Sequence, residues 1–205
     1  MISGKSKELV KGGFQLGMAQ EEQEILGLTE FLLNEKPQNV MEIGSKNGGT
    51  FYIFSKIATG KKISLDLPGG IHGGWALNEH PYLGDVVGKR NEWFEDNFDD
   101  IHMILADSHT KSALNTVEHY LDGELLDFLM IDGDHTYEGV KQDYEMYRHL
   151  VKDGGWIAFH DVNDTEHHRK RNVYVGKLWD ELKGEKIEFN EKTHWAGIGI
   201  IKNEK

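Results

Sequence analysis

The sequence predicts a doubly wound α/β fold, with a mostly parallel seven-stranded sheet, helices on both faces and an antiparallel last strand. Short apolar segments alternate with amphipathic segments of helical spacing along most of the chain. The apolar segments are unbroken, as in strands that are buried on both faces. The last two of them, residues 186–189 and 195–201, have no helix between them, so they are expected to pair antiparallel as a hairpin.

Five further strands are expected to lie parallel to one another. The predicted strands are residues 39–44, 62–67, 101–106, 125–131 and 155–160. Helical spacing of apolar side chains predicts a helix before the first strand and helices between the others. These are residues 21–35, 49–59, 85–98, 110–121, 137–151 and 172–182. Pro37 is expected to end the first helix.

The chain reads as one domain with an N-terminal arm. Residues 1–20 are polar and contain Gly12, Gly13 and Gly17, which predicts a partly mobile arm. Residues 21–205 form a single predicted domain, because three prolines leave no linker. The glycine-rich stretch 69–84 is long for a loop inside a compact domain, and a lid or substrate wall is expected there.

Composition excludes several classes of protein. The chain has no cysteine, which excludes disulfides, thiolate metal sites and a cysteine nucleophile. Its formal net charge of −12 argues against a general nucleic-acid binder, whose affinity depends on neutralising phosphates. No apolar run approaches the roughly 18 residues of a membrane span, and no signal peptide opens the chain. We therefore expect a cytoplasmic protein with a small-molecule substrate, and a homo-oligomer stays open.

Acidic residues stand at the end of every predicted parallel strand. Ligands of open α/β sheets bind outside the carboxyl ends of the strands, so these side chains are expected to meet at one rim. They are Glu42, Asp66, Asp107, Asp132 and Asp161. Clustered like charges repel one another, so a cationic ligand or a metal ion is expected to relieve them.

The loop after the first strand is typical of close approach between backbone and ligand. It contains Gly44, Ser45 and Gly48 before the next helix. Lys46 stands where a dinucleotide-binding G-x-G-x-x-G motif has its second glycine, which disfavours a NAD-linked oxidoreductase. That enzyme class and a non-catalytic cofactor-binding module stay open as alternatives.

Four segments resemble class I S-adenosylmethionine-dependent methyltransferases. They are EIGSKNGGT, ISLDL, ILADS and, most specifically, FLMIDGDHTYEGVKQDYEMYRHLVKDGGWIAFHDV. The similarity is greatest to the small stand-alone group related to catechol and caffeoyl-coenzyme A O-methyltransferases and to antibiotic-pathway enzymes. It covers about residues 21–201 and implies S-adenosylmethionine as the cofactor, with methyl transfer to a small-molecule hydroxyl.

The resemblance also implies roles for the cofactor-binding residues. Gly44, Ser45 and Gly48 match the loop at the methionine end, and Glu42 lies near the ammonium group. Asp66 matches the acid that holds the ribose hydroxyls. At the adenine edge, the matching pair is Asp107 with Ser108.

Asp132 and Asp161 match two carboxylates that hold a divalent cation such as Mg²⁺ in metal-dependent relatives. Those relatives often have Asn after the second Asp, whereas this chain has Val162. The alternative to metal assistance is a general base, for which His160 and His135 are the candidates. The expected catalytic residues are therefore His160, Asp132 and His135, with Asp132 also near the cofactor.

The methyl acceptor stays open among a sugar, a phenol and a biosynthetic intermediate. An oxygen acceptor is favoured because no N-P-P-Y motif follows the fourth strand. Residues 164–171 have mixed charge and read as a solvated helix start. The alternative interpretation is that His167, Arg169 or Arg171 receives an anionic group of the substrate.

Overall fold

The computed structural model describes residues 2–67, 83–190 and 195–204, apart from the side chains of residues 83–87. Seven strands and eight α-helices are numbered here in chain order. They are α1 (Gly4–Gln15), α2 (Glu22–Glu35), β1 (Val40–Ile43), α3 (Gly49–Ile57), β2 (Lys62–Asp66), α4 (Leu83–Asn97), β3 (Ile101–Leu105), α5 (Lys111–Leu121), β4 (Leu126–Ile131), α6 (Tyr137–Tyr147), β5 (Val151–His160), α7 (Glu166–Lys170), α8 (Val175–Glu181), β6 (Lys186–Phe189) and β7 (Ile198–Lys202). Most of the glycine-rich stretch 69–84, predicted as a lid, lies outside the described residues.

The predicted fold class is confirmed. One seven-stranded sheet has the order β3-β2-β1-β4-β5-β7-β6. Strands β1 to β5 are parallel, and β7 pairs antiparallel with both β5 and β6. The chain builds outward from β1 to β3 and then crosses to β4 on the other side of β1. The gap between β1 and β4 is therefore the switch point at which such sheets bind ligands.

Alternating side chains of the strands enter two separate cores. Met41 and Ile43 of β1 pack with α5, α6 and α8, whereas Val40 packs with α1, α2 and α3 on the other face. This alternation follows from the two-residue period of a strand. Among the described residues, no helix combines the length and the apolarity that crossing a membrane requires.

The predicted arm contains helix α1, which packs against the domain. Leu9 and Val10 are buried in the core that α2 and α3 share. Close approach explains the glycines of this segment, because a Cβ on Gly13 would lie 2.8 Å from the carbonyl oxygen of Gly49 in α3. The polar composition that suggested mobility belongs to the solvent-facing side of a docked helix.

Two predicted helix boundaries are wrong. Val151 was expected to end a helix, but a 3₁₀ turn at Arg148–Leu150 follows α6 and Val151 begins β5. A β-branched residue suits a strand start, so the helical spacing there was fortuitous. The helix predicted at residues 172–182 is the shorter α8, and the mixed-charge segment before it forms α7.

Candidate active site

A cavity of about 790 Å³ opens at the carboxyl ends of the parallel strands. Its volume lies within the usual range for small-molecule sites. Its walls come from the loops after β1 to β5 and from residues 17–20, which join α1 to α2. The predicted site residues that line it are Gly44, Ser45, Asp66, Asp107, Ser108, Asp132, His135, His160 and Asp161. Four of the five acids predicted at the strand ends, Asp66, Asp107, Asp132 and Asp161, therefore lie at one cavity, whereas Glu42 does not line it.

The turn after β1 requires glycine at Gly44. Its φ angle is +87°, and a Cβ there would lie 2.1 Å from the carbonyl oxygen of Asp132. A side chain would close the gap between β1 and β4. Gly48 has a φ angle of +84° and forms the N-cap of α3. Its Cα faces the Phe94 ring, so Gly48 shapes the turn without lining the cavity.

Glu42 lies beneath this turn, fully buried and outside the cavity wall. Burial raises the pKa of Glu42 to about 8, and the Thr50 and Ser45 hydroxyls oppose the shift only in part. The negative charges of Asp132 and Asp66 add to the increase. The carboxyl group therefore holds a proton at neutral pH, and a nearby cation would favour its ionised form.

Asp66 forms an ion pair that the sequence did not reveal. Its Oδ2 accepts a hydrogen bond of 2.7 Å from Nη1 of Arg90 in α4, and its Oδ1 accepts one from the Leu67 N–H. The same guanidinium donates to the carbonyl oxygen of Lys46. Arg90 thus ties the end of β2 to the loop after β1.

The loop after β3 is held by contacts with α6. Oδ1 of Asp107 accepts from the His109 N–H at 2.9 Å, and the Tyr147 hydroxyl donates to the carbonyl of Ser108 at 2.8 Å. Nε2 of His109 lies 3.3 Å from Oδ1 of Asp143, which is fully buried in α6. The close contact with the Asp143 carboxylate raises the pKa of His109, although burial opposes it.

Two carboxylates and two imidazoles meet after β4 and β5. Nδ1 of His135 lies 2.5 Å from Oδ2 of Asp161, and its Nε2 lies 3.5 Å from Oδ1 of Asp132. Nδ1 of His160 lies 3.2 Å from both Oδ1 of Asp132 and Oδ1 of Asp161. The His160 ring therefore stands between the two acids.

Charge within this group is partly compensated. Burial lowers the pKa of His160, but Asp132 and Asp161 outweigh it and raise the pKa to about 10. The pKa of His135 is also raised, since Asp161 and Asp132 overcome the effect of burial. Burial alone would raise the pKa of Asp161, but the charge of His160, the hydrogen bond from His135 and the contact with His168 outweigh burial and lower it. At neutral pH His160 is protonated.

Several polar atoms of this group lack a hydrogen-bond partner among the described residues. They are Oδ1 of Asp161, both ring nitrogens of His160 and Nε2 of His168. The contacts of His160 with the carboxylates are close, but they lack hydrogen-bond geometry. Asp161 also has a left-handed φ angle of +63°, which is strained for a residue with a side chain. Unsatisfied buried groups and backbone strain are concentrated at functional sites.

The assignment of Asp132 and Asp161 as metal ligands stays a prediction. In the part of the chain that the structure describes, no group of three or more His, Cys, Asp or Glu is arranged to hold a metal ion. Val162, which stands where relatives often have Asn, is buried in the core. The candidate ligands are limited to Asp132 and Asp161.

Sequence reasoning missed the contribution of the N-terminal segment. Nε2 of Gln20 donates to Oδ2 of Asp132 at 3.0 Å, and its buried Oε1 has no hydrogen-bond partner among the described residues. Nδ2 of Asn47 donates to the carbonyl of Gly17 at 3.1 Å. No local pattern indicates these contacts, because the partners are distant in sequence.

Comparisons with known proteins show the family to which the chain belongs. A family model described as "Methyltransferase domain" matches residues 41–162, more than half of the chain. An uncharacterized protein, y4gI, of Sinorhizobium fredii is 22% identical over 167 residues, or 81% of this chain. The chain spans only 17% of that relative's length.

Solved structures show the same fold at low sequence identity. A Staphylococcus aureus protein assigned as a caffeoyl-CoA O-methyltransferase has a TM-score of 0.62 and 13% identity, covering 98% of this chain and 93% of its own. MycE, a methyltransferase from the mycinamycin biosynthetic pathway, has a TM-score of 0.60 and 14% identity, covering 97% of this chain and 54% of its own. The chain therefore belongs to the methyltransferase domain family, and it shares the fold of these solved methyltransferases.

Proposed function

We propose that the protein transfers a methyl group from S-adenosylmethionine to a hydroxyl group of a small molecule. One observation carries the proposal: one cavity joins the loops after β1 to β3 to His135 after β4 and Asp161 after β5. We call the first group of loops the β1–β3 side and the loops after β4 and β5 the β4–β5 side. A methyl donor bound on the β1–β3 side would then lie next to an acceptor and a base on the β4–β5 side.

The β1–β3 side would bind the donor. Gly44 leaves room for the methionine end, and Glu42 lies beneath it with a pKa that a neighbouring ammonium group would lower. Asp66 would accept from the ribose hydroxyls while Arg90 fixes its carboxylate. Asp107 and Ser108 would meet the adenine edge. Holding donor and acceptor in line is the main contribution expected of the protein, because the sulfonium is already reactive.

His135 is the base that the geometry favours. Asp161 accepts from its Nδ1, which would orient Nε2 as the carboxylate of a catalytic triad orients its histidine. The His135 side chain is 21% exposed and lines the cavity, so an acceptor hydroxyl can approach it. His160 is buried and protonated, which suits a counter-charge to Asp132 and Asp161 better than a base.

The proposal includes a divalent cation held by Asp132 and Asp161, which would replace the proton of His160 as their counter-charge. Oδ1 of Asp161 is buried without a hydrogen-bond partner among the described residues, and carboxylate oxygens are the ligands that Mg²⁺ prefers. Mg²⁺ is often held by one or two carboxylates with water completing its shell, so two protein ligands suffice. MycE was solved in complex with Mg. A bound cation would lower the pKa of the acceptor hydroxyl.

Methyl transfer from isotopically labelled S-adenosylmethionine to pooled phenols and sugars tests the proposal. We expect label in at least one hydroxyl acceptor, identified by mass spectrometry, and none without protein. Loss of activity with EDTA and its recovery with Mg²⁺ would support the cation. Full activity in EDTA would remove the cation and leave His135 as the base. Binding of the donor without transfer to any acceptor would contradict the proposed activity.

A further inference from the structure

Three cations stand in succession after α7 begins, and two of them are neutralised nearby. Nη1 of Arg169 lies 2.7 Å from Oδ1 of Asp164, and Nζ of Lys170 lies 2.7 Å from Oε1 of Glu166. Both cations are exposed and lie outside the cavity wall. Their charges are therefore accounted for by local surface ion pairs.

Arg171 is exposed like both of its neighbours, but its surroundings differ. It lines the cavity, and among the described residues no carboxylate forms an ion pair with it. Its Nη1 lies 2.9 Å from Nδ1 of His167. A guanidinium only donates, so His167 must accept with a neutral ring. Burial lowers the pKa of His167, and the charge of Arg171 lowers it further.

The Arg171 side of the cavity adjoins the reacting groups. The centroid of the Trp195 ring lies 6.0 Å from the ring centroid of His167, 6.3 Å from that of His168 and 6.5 Å from that of His160. Trp195 and these three histidines all line the cavity. The cavity wall formed by Trp195 and these histidines therefore connects Arg171 with His160, which stands between Asp132 and Asp161.

We propose that Arg171 binds an anionic group, a carboxylate or a phosphate, on the methyl acceptor. This inference rests on the proposed function and names the substrate class of the same site. A chain with a net charge of −12 has many acids that could pair with a cation. Among the described residues, however, none of them forms an ion pair with Arg171, whose guanidinium is therefore available to a ligand in the cavity. Its planar fork can bind two oxygens at once, while Trp195 offers a flat apolar surface beside His167, the hydrogen-bond partner of Arg171.

Matched pairs of neutral and anionic compounds test the inference in protein saturated with S-adenosylhomocysteine. The pairs are catechol with protocatechuate, glucose with glucuronate, and glycerol with glycerol phosphate. The first two pairs probe a carboxylate and the third a phosphate. We expect the anionic member of at least one pair to bind about tenfold more tightly by calorimetry. Arg171→Gln should remove this preference, and Arg169→Gln, the matched control, should keep it.

The outcomes separate this inference from the proposed function. Equal binding of both members in every pair, no binding of any member, or a preference that survives in Arg171→Gln would overturn it. A weaker affinity of Arg171→Gln for S-adenosylhomocysteine itself would also overturn it, because Arg171 would then hold the donor's carboxylate. Failure of the wild-type protein to bind S-adenosylhomocysteine would instead remove the proposed function on which the inference rests.

Discussion

The two sides of the cavity differ in whether the side chains that line them have hydrogen-bond partners. Near the β1–β3 side, the buried atoms without a partner among the described residues belong to Glu42, Arg90 and Asp143, which lie outside the cavity wall. On the β1–β3 side, Arg90 pairs with Asp66, and the Ser64 hydroxyl donates to Ser45 at 2.8 Å. The backbone of His109 donates to Asp107. On the β4–β5 side, polar atoms of Asp161, His160 and His168 have no hydrogen-bond partner among the described residues.

This difference indicates different tasks. A side that is already hydrogen-bonded keeps one shape and suits a ligand that never varies, such as a cofactor. Titratable groups that lie close together without hydrogen-bond partners are typical of a site where a proton is transferred. Substitutions on the β4–β5 side should therefore change the rate, and substitutions on the β1–β3 side should change donor binding.

His135→Gln is expected to have the largest effect. Gln retains a polar side chain but cannot take a proton, so methyl transfer should fall by about 10²–10⁴-fold, the usual contribution of a general base. Affinity for S-adenosylhomocysteine should change little, because His135 belongs to the β4–β5 side. Initial rates and calorimetry measure the two quantities separately.

A matched control for this variant is His149→Gln. His149 is exposed at the 3₁₀ turn, 3.4 Å from Glu118, and lies outside the cavity wall. Its substitution should leave both rate and affinity unchanged. An equal fall in rate and in donor affinity for His135→Gln would contradict the separation of the two sides.

Gly44→Ala is expected to damage the β1–β3 side through the backbone. Left-handed strain costs about 1–3 kcal/mol, and the added Cβ would also clash with the Asp132 carbonyl. The free energy of unfolding should fall by about 3 kcal/mol, with loss of S-adenosylhomocysteine binding. Gly123→Ala is the control, because Gly123 has a similar φ of +82° with open space around it. It should lose only about 1 kcal/mol, and equal losses would refute the role of the clash.

The His109–Asp143 pair predicts a smaller, pH-dependent effect. The pKa of His109 is raised in the folded protein, so its stabilising contribution is full below the unfolded pKa of about 6.5 and is lost as pH rises through the folded value. The stability difference between wild type and His109→Gln should therefore be larger at about pH 6 than at about pH 9. Urea unfolding at both values measures it. A constant difference would exclude a protonated His109.

Features of the structure that depend on short stretches of sequence could be predicted from the sequence. Strand–helix alternation predicted the sheet, and acids at strand ends predicted the rim, because both follow from short stretches of sequence. The ion pair of Arg90 with Asp66 and the contact of Gln20 with Asp132 were not predictable, since they join segments far apart in sequence. Likewise, the glycines of α1 predicted a mobile arm, because the sequence alone does not show that they allow α1 to pack closely against α3.

Titration calorimetry with S-adenosylhomocysteine, run beside NADH, tests the central claim most directly. We expect one-to-one binding of S-adenosylhomocysteine and no binding of NADH, because we propose that the loop after β1 and the acids of the rim bind the methyl donor. Folded protein that takes up NADH, or that releases no heat with S-adenosylhomocysteine, would contradict it.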